Sequence, residues 1–495
     1  YIDEIRIVGT TNVDTEPLGN DTYSARHYKY KNAGQIAGLG NDSNDMNVPE
    51  AWNLVSVASD IVVAVIDTGV ELGHADLNLV TGYDHDGTVG GSPRSNHGTA
   101  VAGNVGAIGD NSLGVMGTAP SVKIMPVYMG GTEAQIANAI DTAVANGADI
   151  LNNSWGWVNV FSQDIEDAIT DALAANVVVL FATGNGPDRS PWTYDVAFPA
   201  NLCGTTDVIC VGASSPTDEH KAAASSDGYF SWGSSYLGHG PDVVAPGPWS
   251  YSTDRTGVDG YNDGALIDPS DPASADYTPV FGGTSSATPK VAGIVALMLS
   301  ANPDLTPAEV KQALRNTAED IDIPGVDDKT GAGRVNAYRA VQNVLPPPDL
   351  SGWTFGLELH NYQPTDQDVV LGSAANSVPT DNDILGYDRD IAFRIFAEKN
   401  NCRLAYFKGQ WDGSYNASGR AGTYFVALDH PNATYGGYDE VSAVADDLEL
   451  AIYDLGCSVD INTTGPSSVD AYGGLRYVDY SNDMTATYTG GTTGT

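Results

Sequence analysis

Ile61-Val62-Val63-Ala64-Val65-Ile66 is an unbroken apolar run, mostly β-branched, that stops at Asp67-Thr68-Gly69. A strand with no polar face must be covered on both sides, which short strands achieve in parallel sheets sandwiched between helices. The pattern recurs downstream. Residues 122–127, 177–182, 208–211 and 243–245 read as further strands, and residues 149–153 as one more that runs into the loop Ser154-Trp155-Gly156. Between them Ile136, Ile140 and Val144 repeat at helical spacing until Gly147 stops the helix, and Ile165, Ile169 and Leu173 mark another. Strands alternating with helices in this way predict an α/β fold, a mostly parallel sheet with helices on both faces.

The pattern has limits at both ends. Residues 1–44 are polar, rich in Gly, Asn, Asp and Tyr, with one candidate strand at Ile5-Arg6-Ile7-Val8. They are expected to lie over the α/β unit as an extension. That unit spans residues 45–345, with a Pro-rich linker at 346–350. Beyond it helical periodicity fades, and alternating segments such as Tyr424-Phe425-Val426-Ala427-Leu428 and Leu448-Glu449-Leu450-Ala451-Ile452-Tyr453 take over. Residues 351–495 therefore read as a β-rich C-terminal accessory domain.

Composition narrows the partners. Twenty-two Lys and Arg against 63 Asp and Glu leave a net charge of −41, which argues against nucleic acid and anionic membranes. No apolar run is long enough to span a bilayer, so membrane insertion is not expected. Cys203 with Cys210 and Cys402 with Cys457 fall as two pairs, each within its own region. An even count of this kind points to disulfides and an oxidising compartment, and no cysteine–histidine cluster suggests zinc. The cysteines favour secretion, a chain that opens on Tyr1 without a signal peptide is expected to be a processed form, and a monomer is expected.

The chemistry gathers at Phe281-Gly282-Gly283-Thr284-Ser285-Ser286-Ala287-Thr288-Pro289-Lys290-Val291-Ala292-Gly293. Two glycines permit a tight turn, and the apolar residues after Pro289 form a helix that must be buried nearly all round. Pro289 fits an early helical turn, or it kinks the helix. Ser285 then stands at a helix N-terminus, where free N–H groups and the macrodipole favour negative charge. Taken alone, the stretch fits a Ser/Thr capping cluster on a core helix better than a nucleophile. Serine as a nucleophile needs a base within hydrogen-bond reach, and the base needs a carboxylate to fix its tautomer. His97 opens a small-residue helix and Asp67 ends a buried strand, at the strand and helix ends where open α/β sheets place their sites.

Gly-Thr-Ser-x-Ala-x-Pro-x-Val-Ala-Gly, Ile66-Asp67-Thr68-Gly69-Val70 with Gly73-His74-Ala75-Asp76-Leu77, and Asn96-His97-Gly98-Thr99-Ala100-Val101-Ala102-Gly103 together resemble the three motifs of the subtilisin-like serine proteases. They stand in that family's order, Asp, His, Ser. The resemblance covers roughly residues 45–340 and implies an endopeptidase. Ser285 would attack, His97 shuttle the proton, Asp67 orient His97, and Asn185 in Thr183-Gly184-Asn185-Gly186 donate to the oxyanion. His74 corresponds to a structural histidine of the motif. Protein or peptide would bind in extended form, with Ser154-Trp155-Gly156 as one wall, Gly130 near the other, and Ala197 in Val196-Ala197-Phe198-Pro199 as a small pocket floor for a large apolar P1 side chain. Kexin-like relatives share Asn153-Ser154-Trp155-Gly156, and Asp195 falls close to one of their acidic pocket positions, so basic P1 preference is the alternative. Against it, Trp157-Val158-Asn159 stand where acids would directly follow, and Thr68 replaces the second acid after Asp67. An inert binding protein acting through residues 351–495 is the rival of another class. The resemblance also implies Ca2+, held by side-chain oxygens of Asp76 and Asn111, carbonyls of Leu113 and Val115, and Asp45 as the N-terminal ligand.

Overall fold

The computed structural model describes residues 20–24, 29–30, 44–57, 60–186, 194–225, 227, 231–262 and 274–346 in full. Residues 272–273, 353–362, 372–373, 376–377, 390–399, 402–424, 435–461 and 469–488 are described as backbone. The candidate strand at Ile5-Arg6-Ile7-Val8 lies outside these residues. The chain divides into two units, Tyr1–Pro347 and Pro348–Thr495.

In the first unit the elements run α1 (Val48–Trp52), β1 (Val62–Asp67), β2 (Tyr83–Asp84), α2 (His97–Gly106), β3 (Lys123–Tyr128), α3 (Glu133–Ala145), β4 (Ile150–Asn153), α4 (Gln163–Ala174), β5 (Val178–Ala182) and β6 (Asn185–Gly186). There follow β7 (Ile209–Ser214), β8 (Gly233–Ser234), β9 (Val243–Pro246), β10 (Ser250–Thr253), β11 (Tyr277–Phe281), α5 (Thr284–Ala301), α6 (Pro307–Thr317) and α7 (Ala337–Val344). The main sheet has seven strands in the order β2-β3-β1-β4-β5-β7-β9. Every neighbouring pair in it is parallel.

Alternate residues of the central strands enter opposite layers. Val63 and Val65 of β1, Ile150 of β4 and Leu180 of β5 pack with α2 and α5, while Ala64, Ile66, Leu151 and Phe181 pack with α3 and α4. The strand pleat sorts these residues, and the doubly apolar run of β1 is the sequence trace of two covered faces. Helix α5 is buried from Thr284 to Leu299, and it continues without a break past Pro289. That proline leaves the Ser285 carbonyl without its usual intrahelical donor. Fully burying each of Val291, Ile294, Val295 and Leu297 contributes about 1.5–3 kcal/mol, an upper estimate. Helix α6 begins with the capping box that Thr306-Pro307-Ala308-Glu309 predicts.

The second unit consists, among the described residues, of β12 (Trp353–Tyr362), β13 (Gly372–Ser373), β14 (Asn376–Ser377), β15 (Asp390–Lys399), β16 (Cys402–Tyr424), β17 (Tyr435–Ile461) and β18 (Val469–Tyr488). All of its pairings are antiparallel. Cys402 and Cys457 are register partners across β16 and β17. The segment at 448–453 lies inside β17, while Phe425-Val426-Ala427-Leu428 lies outside the described residues.

Candidate active site

Asp67 is the last residue of β1, a central strand of the sheet, and its side chain is buried. Its Oδ1 accepts the Thr68 N–H at 2.7 Å, and its two oxygens lie 2.8 and 2.9 Å from His97 Nδ1. A carboxylate can only accept here, so Nδ1 carries the hydrogen and Nε2 is left as the basic nitrogen. Burial disfavours the His97 cation, but the charge and hydrogen bond of Asp67 outweigh it and raise the imidazole pKa above its ordinary value. Helix α2 approaches the end of β1 this closely because Gly98 has no Cβ: one placed there would sit 2.2 Å from the Gly69 carbonyl oxygen. The His97 ring rests edge-on against Phe281, with centroids 5.5 Å apart.

Phe281 ends β11, and Gly283, at φ +90°, turns the chain into α5. The left-handed angle suits glycine, and a Cβ at this point would also sit 3.1 Å from the Asn185 amide nitrogen. Ser285 is thus delivered to the first turn of α5, where its N–H has no partner among the described residues. Its Oγ donates to the Ser154 carbonyl at 3.0 Å. Among the described residues no hydrogen bond joins it to His97. Asn185 follows β5, and its Oδ1 accepts from Thr284 N at 2.8 Å and Thr284 Oγ1 at 3.1 Å. With its oxygen engaged there, the amide has its NH2 left to donate elsewhere. The expectation from sequence overlooked Thr284 as the residue that orients Asn185, although it adjoins the candidate nucleophile.

The expected cleft residues gather around the same strand ends. Gly130 follows β3, whose next residue Met129 donates its N–H to the Asp67 carbonyl at 3.0 Å. Ser154-Trp155-Gly156 follows β4, and Trp155 Nε1 donates to the Ile66 carbonyl at 2.7 Å. A Cβ on Gly156 would lie 2.9 Å from Ala197 Cβ, and one on Gly184 would lie 3.5 Å from it. Those glycines therefore pack closely around the Ala197 side chain. Asp195 is exposed two residues before Ala197, on a segment bridged to Leu237.

His74 is elsewhere engaged: its Nδ1 accepts the Asp76 N–H at 3.1 Å and its Nε2 contacts the Asp276 carbonyl at 2.9 Å. It steadies Asp76, a fully buried carboxylate whose pKa burial pushes up to about 7. Asp76 accepts from Asn111 Nδ2 at 2.7 Å and from Val115 N at 3.1 Å. Asn111 Oδ1 in turn accepts the Leu113 N–H at 2.8 Å. The acid that reaches this loop from the N-terminal segment is Asp21, which accepts from Asp110 N at 3.0 Å and Asn111 N at 2.9 Å. Asp45 instead accepts the Asn47 N–H at 2.9 Å, at the start of α1. Asp21 is thus the N-terminal acid that hydrogen-bonds the 110–115 loop. Burial raises the Asp76 pKa and the charge of Asp21 adds to it, so a buried acid without a cationic partner among the described residues suits a hard cation with oxygen ligands.

Cys203 and Cys210 form a disulfide, with S–S 2.09 Å. His239 lies within 4.8 Å of both sulfurs, but disulfide sulfurs are not thiolate ligands.

Residues 58–333 match the family model described as "Subtilase family". The chain is 33% identical to the "Extracellular protease" of Xanthomonas campestris pv. campestris over 62% of its own length and 55% of that protein. It is 32% identical to the "Calcium-dependent protease" of Nostoc, covering 61% of this chain and 48% of that one. It is also 32% identical to the "Thermitase" of Thermoactinomyces vulgaris, covering 60% of this chain and 94% of that one. Apart from thermitase, the chain spans about half the length of these relatives. A solved structure of a protease from Pseudoalteromonas arctica superposes with TM-score 0.50 at 27% identity, over 66% of this chain and 99% of that one.

Proposed function

The chain belongs to the subtilase family, and from that premise we propose that it is a secreted serine endopeptidase working through an acyl-enzyme. The observation that carries the reading is the Asp67 carboxylate within 2.9 Å of His97 Nδ1, which leaves Nε2 free to act as a base. Ser285 Oγ leaves the Ser154 carbonyl, gives its proton to Nε2 and attacks the scissile carbonyl carbon. The oxyanion accepts from the Ser285 N–H, which has no partner among the described residues, and from the Asn185 amide, whose orientation Thr284 has already set. The imidazolium, stabilised by Asp67, protonates the leaving amine, and water then repeats the sequence to release the acyl group.

The substrate is an extended polypeptide lying between the segments after β3 and β4. The small side chain of Ala197, packed beside Gly156 and Gly184, supports a preference for a large apolar P1 side chain. Calcium fits the Asp76 loop, with Asp76, Asn111 and Asp21 as side-chain donors and Leu113 and Val115 as carbonyl donors. When bound, the ion would supply the positive charge that buried Asp76 lacks. The acidic surface and the Cys203–Cys210 disulfide agree with an extracellular setting. Residues 351–495 serve as an accessory domain.

A fluorophosphonate probe tests the reading. It is expected to label Ser285, and Ser285→Ala should abolish labelling and lower kcat on peptides by about a millionfold, the scale known for subtilisin's own serine. An intact wild-type protein that takes no label is instead the inert binding protein. Cleavage of a peptide library reads the P1 preference, and a strict demand for Arg or Lys would overturn the apolar assignment.

A further inference from the structure

One turn beyond Ser286 on α5 lies Lys290, which is completely buried. Its Nζ donates to the Pro246 carbonyl, to Ser250 Oγ at 2.6 Å and to Ser286 Oγ at 3.0 Å. Ser286 Oγ is also 2.6 Å from Ser250 Oγ. No carboxylate reaches Lys290 among the described residues. Burial, with the nearby Lys29 adding to it, pushes its pKa well below the ordinary lysine value. A methionine would fill the same space without desolvating an amine, so packing alone gives no reason for a lysine here.

The strand that receives these bonds links two helices. Ser252 Oγ of β10 donates to the Ala100 carbonyl at 2.6 Å, and Thr253 Oγ1 to the Thr99 carbonyl at 2.7 Å. Both carbonyls belong to the first turn of α2, directly after His97. Ser250, at the other end of β10, holds the first turns of α5 through Ser286 and Lys290. One short strand thus bonds the helix bearing the candidate base and the helix bearing the candidate nucleophile.

We propose that Lys290, acting through Ser286 and Ser250, is a positioning residue for Ser285, tying the start of α5 to β10 and thereby setting where the nucleophile stands relative to His97. The inference rests on the endopeptidase reading above. Misplacing a reacting group by about 1 Å can cost about a hundredfold in rate, whereas substrate contacts elsewhere in the cleft stay intact. The network therefore acts on kcat and leaves KM nearly alone.

The test measures kcat, KM, the rate of Ser285 labelling by a fluorophosphonate and the melting temperature for wild type, Lys290→Met, Ser286→Ala and the double variant. Each single variant is expected to lower kcat and the labelling rate about tenfold, with KM within about twofold of wild type. The double variant should be no slower than the worse single, because the residues act as one unit. If Lys290→Met does not fold, Ser286→Ala, which removes a single oxygen, decides the matter. Wild type that labels normally beside variants that label equally fast overturns the positioning role alone. Wild type that never labels overturns the endopeptidase reading beneath it.

Discussion

His97 is where pH acts on this site. Burial opposes its cation and Asp67 favours it, with a net rise above 6.5. The proposed chemistry needs the neutral ring, so kcat/KM should climb as pH rises through that raised value, with its acid inflection above pH 6.5. The stability gained from the ion pair has the opposite sign: it is complete below the unfolded-state pKa and is lost as pH rises through the folded one. A pH–rate profile checks this, and an inflection below the ordinary histidine value contradicts it. The neighbour of the nucleophile matters in another way. Ser286 stands where the family often has a methionine, and a hydroxyl has no place on the sulfur oxidation ladder. Activity should therefore survive peroxide, with peptide mapping to locate any oxidation; rapid loss traced to residues 285–286 would be the contrary result.

At the scale of elements, the loop at 110–115 is the clearest point of leverage. Asp76 is buried among hydrogen-bond donors, with the acid Asp21 nearby and no cationic partner among the described residues, so a bound cation would stabilise the folded chain alone. At free calcium about a hundred times Kd the gain is about 2.7 kcal/mol, and EDTA should lower the melting temperature by several degrees. Asp21→Asn should shrink that difference, whereas Asp45→Asn should leave it intact. A melting curve unchanged by EDTA would remove the ion from this loop. Asp21 was illegible in the sequence because it lies in a polar extension without periodicity, and nothing local distinguishes it from Asp45. Strands and helices fared better: β1 and α5 carry apolar patterns that only burial on both faces, or nearly all round, can satisfy.

For the whole molecule, the division between Tyr1–Pro347 and Pro348–Thr495 is the feature to exploit. Limited proteolysis is expected to cut first at the Pro-rich stretch 346–350, where we place the linker, and to release an N-terminal fragment that still takes the fluorophosphonate label. Loss of labelling in step with that cut would show that the β-stranded unit completes the site. The net charge of −41 favours solubility and says little about fold, since such a charge acts through long-range repulsion and not through packing.

Local rules were enough to read the layered α/β plan, the serine at a helix start and the carboxylate at a strand end, because each leaves a mark within a few adjacent residues. The family resemblance then supplied the order in which Asp67, His97 and Ser285 should meet. Folding alone brought Thr284 onto Asn185, Asp21 onto the 110–115 loop, and the hydroxyls of β10 onto both α2 and α5. Those contacts join residues from 36 to 154 positions apart. Their partners are selected by proximity in the packed chain, and hydroxyls and carboxylates of this kind look alike in sequence wherever they fall.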